Sequence, residues 1–173
     1  MSDQETTHAE LRPASDADYM RKAMRLAERA AEAGEVPVGA VVVFEGKVVA
    51  RAWNQVELLK DGTAHAEMLA LTQAASAVGN WRLAGATLYV TKEPCAMCAG
   101  AMVNTRLSRV VFGCADPRCG CAGSALSITN FPGMLHTVQV TGGVLGDECL
   151  DQLQEFFRKR RAEGKNGGAA QEN

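Results

Sequence analysis

The chain has no apolar run approaching the roughly 20 residues that cross a bilayer, and its start, "MSDQETTHAE", has neither a basic n-region nor an apolar h-region. Both absences point to a cytoplasmic protein. Cysteine is sparse as well, with six in 173 residues. That is too few for a disulfide scaffold, and in a reducing compartment these cysteines are expected to be thiols or metal ligands. Nor is there a strong net charge: the total of −2 gives no global attraction to nucleic acid or to an anionic membrane.

What is present is a 47% hydrophobic chain of a length that buries one substantial core. One domain is expected over residues 15–163, between a disordered tail at 1–14 and a flexible tail, "GKNGGAAQEN", at 164–173. The near-neutral total hides a local bias. "FFRKRR" at 156–161 sets four cations beside two aromatics, a combination that can touch phosphate without making the protein a general nucleic-acid binder. Its bland alternative is a solvated helix end whose cations suit the helix dipole.

Periodicity gives an ordered series of elements. Ser15 with Asp18 has the form of a capping box, and Met20, Ala23, Met24, Ala27 and Ala30 then recur at helical spacing until Gly34. "VGAVVVFEGKVVARAWN" predicts a hairpin over 38–53, and a polar loop follows it. "HAEMLALTQAASAVG" predicts a helix stopped by Gly79, "ATLYVT" a buried strand, and "PCAMCAGAMVNT" a helix opening near Cys95. "RVVFG" and "HTVQVTGG" predict two more strands, and "DECLDQLQEFFRKRRAE" a closing amphipathic helix. A hairpin followed by alternating helices and strands implies an α/β layered domain with helices on both faces of one sheet.

The chemistry lies where two of these helices begin. His65-x-Glu67 is followed after 26 residues by Pro94-Cys95-x-x-Cys98. One imidazole and two thiolates make three zinc ligands, and three protein ligands leave a fourth position open for water, as in catalytic rather than structural sites. Cys95 and Cys98, at i and i+3, share one helix face, and the helix N-terminus favours their thiolates. Glu67 is not needed as a ligand, so its carboxylate is free for general acid/base work.

Other readings explain less. A redox Cys-x-x-Cys leaves His65 and Glu67 without a purpose. A closed structural zinc needs a fourth ligand from Cys114, Cys119, Cys121 or Cys149, and Cys119-x-Cys121 is spaced too tightly for a zinc knuckle. These four read as small buried residues or incidental thiols, His136 as a loop histidine and His8 as a tail histidine.

His-x-Glu with Pro-Cys-x-x-Cys resembles the signature of zinc-dependent nucleobase deaminases. "EVPVGAVVV", "WNQ", "TAHAEMLAL", "ATLYVTKEPCAMCAGAMVNTRLSRVVFG", "AGSAL" and "DECLDQLQEFFRKRR" narrow the resemblance to the bacterial tRNA-specific adenosine deaminases, over about residues 16–161. That resemblance implies a three-layer α/β/α, cytidine-deaminase-like domain with a mixed sheet of about five strands, and a homodimer. It implies hydrolytic deamination of the wobble adenosine to inosine in a tRNA anticodon stem-loop, with one Zn2+ per subunit held by His65, Cys95 and Cys98. Glu67 is then the catalytic acid/base. Asn54 would contact the base, the backbone around Pro37 and Val38 would shape the pocket, and Asp116 would lie in a loop flanking the RNA.

These assignments have physical sense. An amide offers a donor and an acceptor to a purine edge, although Asn54 also suits a turn. A carboxylate such as Asp116 can accept from a ribose 2′-hydroxyl. Phe156, Phe157, Arg158 and Arg160 are the expected RNA contacts of the last helix. The loop at 114–120, with its cysteines, departs from the family pattern, as does "VELLKDG", where Leu58 and Leu59 are expected to pack under the loop. Two further functions stay open at this point. One is a deaminase of free guanine, cytosine or nucleosides, for which the basic end has no use; the other is a non-catalytic zinc-bearing subunit, which Glu67 argues against.

Overall fold

The computed structural model describes residues 13–168; the remaining residues of the two expected tails, 1–12 and 169–173, and with them His8, lie outside it. Helix α1 (Asp16–Glu32) opens on the predicted capping box: Asp18 N donates to Ser15 Oγ at 3.3 Å, and Ser15 N donates to the Asp18 carboxylate at 2.9 Å. Met20, Ala23, Ala27 and Ala30 form its buried stripe, joined by Tyr19 and Leu26, while Met24 is only half-buried. The hairpin follows as β1 (Gly39–Phe44) and β2 (Lys47–Trp53).

A four-residue helix, α2 (Val56–Leu59), occupies the stretch expected to be a polar loop. Leu58 and Leu59 do not pack beneath anything; they are 61% and 52% exposed, which corrects the sequence expectation. Next come α3 (Ala66–Val78, ended by Gly79), β3 (Thr87–Lys92), α4 (Ala96–Asn104) and β4 (Arg109–Cys114). The late strand shrinks to three residues, β5 (Gln139–Thr141), and α5 (Gly146–Gly168) continues past residue 163, where the domain edge was expected.

The five strands lie in the order β2-β1-β3-β4-β5. The first three pair antiparallel and the last three parallel, so the sheet is mixed. Strand residues alternate between faces. Ala40, Val42, Leu88, Val90 and Val110 bury against Ala66, Ala70, Met102 and Val103 of α3 and α4. Val41, Val43, Tyr89 and Val111 bury against Tyr19, Met20 and Leu26 of α1 and Cys149 of α5. This is the expected three-layer α/β/α arrangement. No helix among the described residues is long and apolar enough to cross a membrane.

Gly39 fixes how closely α1 approaches the sheet. A Cβ there would stand 2.0 Å from Ala23 O and 2.6 Å from Ala27 N, both backbone atoms of α1 that cannot step aside singly. Gly39→Ala is therefore expected to cost at least about 3 kcal/mol by overpacking, measured as a shift of the urea unfolding midpoint with unchanged slope.

Candidate active site

Three side chains meet where α3 and α4 begin. His65 is the N-cap of α3 and Cys95 the N-cap of α4, both in extended conformation and neither spending its side chain on capping. Cys98 follows in the first turn of α4 and is fully buried. His65 Nδ1 lies 3.6 Å from Cys95 Sγ and 3.5 Å from Cys98 Sγ, and the three atoms all lie within 4.8 Å of one another. For zinc, bonds of about 2.0 Å to nitrogen and about 2.3 Å to sulfur at a tetrahedral angle would set N and S about 3.6 Å apart. The donor set and its spacing therefore fit a zinc-sized ion.

The electrostatics favour the same use. Hydrogen bonding from Cys98, and then from His65, pulls the Cys95 thiol down to about 3. Cys98 moves the other way because it donates to Cys95 and is buried. His65 is raised, first by its bond to the Cys95 sulfur and further by the Glu67 charge. These contacts favour the thiolate at Cys95, and a bound cation would displace the proton of Cys98.

Glu67 sits one turn-step into α3, and burial raises its carboxyl above the usual carboxylate range. It lines, with His65 and Cys95, a cavity of about 590 Å³. The walls include Val36, Val38, Asn54 and Lys92, and the rim carries Phe156, Phe157, Arg160 and Arg161 from α5. Arg160 Nη1 donates to Gly34 O at 3.1 Å and its guanidinium lies 5.6 Å from the Phe156 ring, so the basic end of α5 is tied to the cavity mouth.

Not every anticipated residue reaches this cavity. Pro37 is buried and does not line it, and Arg158 lies with Phe157 and Arg161 along a separate groove. Asp116 does not line it either. Its Oδ1 accepts from Arg118 N at 3.0 Å and Cys119 N at 3.1 Å, and Oδ2 is paired with Lys92 Nζ. Cys114, Cys121 and Cys149 are buried, Cys119 is exposed, and His136 Nε2 is bound to Leu107 O at 2.7 Å, so none of them joins the His65 group.

Two carboxylates escaped the sequence reading. Glu93, 2% exposed, accepts from Asp116 N (2.9 Å), Ser124 N (3.0 Å) and Ala122 N (3.1 Å). Burial alone would raise its pKa, but these bonds outweigh it and hold the group below the usual range. It clamps the 116–124 loop, and Gly120 packs so closely that a Cβ would meet Glu93 Cδ at 2.3 Å. Glu35, 1% exposed, lies beside Asn54 on the cavity wall. The available signal was position: Glu35 lies just before the buried strand β1 and Glu93 directly after the buried strand β3.

Comparison with known proteins agrees with this geometry. Residues 14–161 match the sequence model of the MafB19-like deaminases. The tRNA-specific adenosine deaminase of Bacillus subtilis is 48% identical over 147 residues, covering 85% of this chain and 91% of that protein. A structure from a study of A-to-I editing by tRNA:A34 deaminases at the wobble position superposes with a TM-score of 0.75 at 40% identity, covering 78% of this chain and 97% of that one. A guanine deaminase from Nitrosomonas europaea shares the fold, with a TM-score of 0.72 over 83% of this chain and 85% of that one, but only 24% of the sequence. The chain belongs to the deaminases, matching the MafB19-like model, and to the tRNA-specific adenosine deaminase family.

Proposed function

We propose that this protein hydrolyses the wobble adenosine of a tRNA anticodon stem-loop to inosine and ammonia. The carrying observation is that one cavity has the His65, Cys95 and Glu67 group at its floor and the aromatic-basic end of α5 at its rim. A deaminase of free guanine, cytosine or nucleosides has no use for such a rim.

In this reading His65, Cys95 and Cys98 hold one Zn2+ per chain. When bound, zinc supplies a Lewis acid that lowers the pKa of water at its open position. Glu67 would accept a proton from the attacking water and return it to the departing amine. Val38 and Asn54 bound the base, with Pro37 buttressing the wall. Phe156 and Phe157 offer faces to unstacked bases, and Arg160 and Arg161 meet the phosphates. Arg158 and the Lys92-held Asp116 act farther out, on the flanking loop and strand. The protein works in the cytoplasm as a homodimer, for which exposed side chains such as Phe131 and Leu135 provide apolar surface.

The test is incubation of the protein with an anticodon stem-loop carrying adenosine at the wobble position, alongside free guanine, cytosine and adenosine. Inosine in the RNA is expected; turnover of the free bases alone would overturn the reading. Replacing Arg160 and Arg161 with Ala should weaken RNA binding and flatten the log K against log salt slope by ~1.4, at about 0.7 per lost phosphate contact to single strands.

A further inference from the structure

Glu35 stands just beyond α1, where its backbone N donates to Ala30 O at 2.9 Å. Its buried carboxylate spans two elements of the cavity wall. Oε2 accepts from Asn54 Nδ2 at 3.3 Å, and Oε1 accepts from Leu58 N of α2 at 2.7 Å. The Asn54 backbone is itself fixed, its N donating to Val38 O at 2.9 Å. Both Glu35 oxygens accept here, so it is the NH2 end of the Asn54 amide that faces Glu35. Among the described residues Asn54 Oδ1 has no hydrogen-bond partner, and it is not sealed from the cavity that Asn54 lines.

We propose that Glu35 is a positioning residue that locks the Asn54 amide in one of its two orientations and thereby selects amino over keto purines. This rests on the reading of the cavity as the base site. Locked this way, Asn54 offers the cavity an acceptor, Oδ1, next to the one remaining Nδ2 hydrogen. That pair matches adenine, whose N6–H donates beside the N7 acceptor. A keto purine presents acceptors at both positions and sets its O6 against Oδ1. Deamination converts the first pattern into the second, so the same lock that holds the substrate weakens the grip on the product. If the amide could rotate freely, it would accommodate either edge and this discrimination would vanish.

The experiment compares wild type, Glu35→Gln, Asn54→Ala and the double variant on the wobble-adenosine stem-loop, with metal content and thermal midpoint as controls on folding. A glutamine at 35 can donate to Oδ1 and turn the amide round. Each single change is expected to raise KM about tenfold, the scale of one lost hydrogen bond, with kcat nearly unchanged. The double variant should be no worse than Asn54→Ala, because Glu35 acts through Asn54. Losses that multiply in the double variant would overturn the proposal. A second readout needs no RNA: the Asn54 side-chain amide protons, followed by NMR, should lose exchange protection in Glu35→Gln, and unchanged protection would also overturn it. An inactive wild type would therefore defeat the functional reading while the amide signals still decide the role of Glu35. Should Glu35→Gln fail to fold, Glu35→Gln combined with Asn54→Asp restores the bond with its polarity reversed. That pair lacks the N–H for N7 and should keep KM raised; a wild-type KM would overturn the lock.

Discussion

Glu67→Gln is expected to lower kcat on the wobble-adenosine stem-loop by at least about a thousandfold, within the range for removing a positioned general acid/base. Metal content should stay at wild-type level, because His65, Cys95 and Cys98 complete the cluster without Glu67. Glutamine preserves the volume of this buried side chain, so a fold defect is not the expected cause. The pH profile gives an independent check. Burial raises the Glu67 pKa, so the carboxylate that accepts a proton is lost as pH falls through a value above the ordinary glutamate pKa of about 4.3. The acidic limb of wild-type kcat/KM should lie above that value and be missing from the residual activity of Glu67→Gln. A variant that retains wild-type kcat would remove Glu67 from the mechanism.

The sequence and the structure agree where local rules decide the outcome. The Ser15–Asp18 capping box, the helix stop at Gly79 and the alternation of Ala40, Val41, Val42 and Val43 between faces depend on neighbouring residues, so they can be read along the chain. The spacing of the His65, Cys95 and Cys98 group was legible for a related reason: His65 and Cys95 each stand at the start of a helix. What sequence missed depends on partners far along the chain. Helix α2 lacks a side-chain cap and ends at Lys60 in the left-handed region, and its outside partner is Glu35, whose carboxylate holds Leu58 N. With the helix held from Glu35, Leu58 and Leu59 turn outward instead of under the loop. Strand β5 was overextended because flanking residues pair elsewhere. Val138 N donates to Thr129 O, and Gly142 lies against the Phe112 ring so tightly that a Cβ would stand 2.5 Å from its Cζ.

Cys95→Ala is expected to abolish turnover and to lose about one zinc per chain, leaving only two of the ligands an open site requires. The structure separates this from general unfolding. Cys95 is half-buried on the cavity floor, and its Sγ is bonded only within the cluster, so the substitution removes no core contact comparable to Met102 or Leu88. Its backbone carbonyl, which accepts from Ala99 N at 2.9 Å to begin α4, is kept by alanine. The unloaded variant should therefore fold, with secondary structure unchanged by circular dichroism. Its thermal midpoint should match that of the chelator-treated wild type rather than the loaded enzyme, because an ion that binds only the folded state stabilises it by mass action. Cys119→Ala is the matched control: that thiol is exposed and outside the cluster, so metal content and activity should both persist. If Cys95→Ala retained its zinc while Cys119→Ala lost it, the ion would belong to the 114–121 loop, and the cavity floor would need a different chemistry.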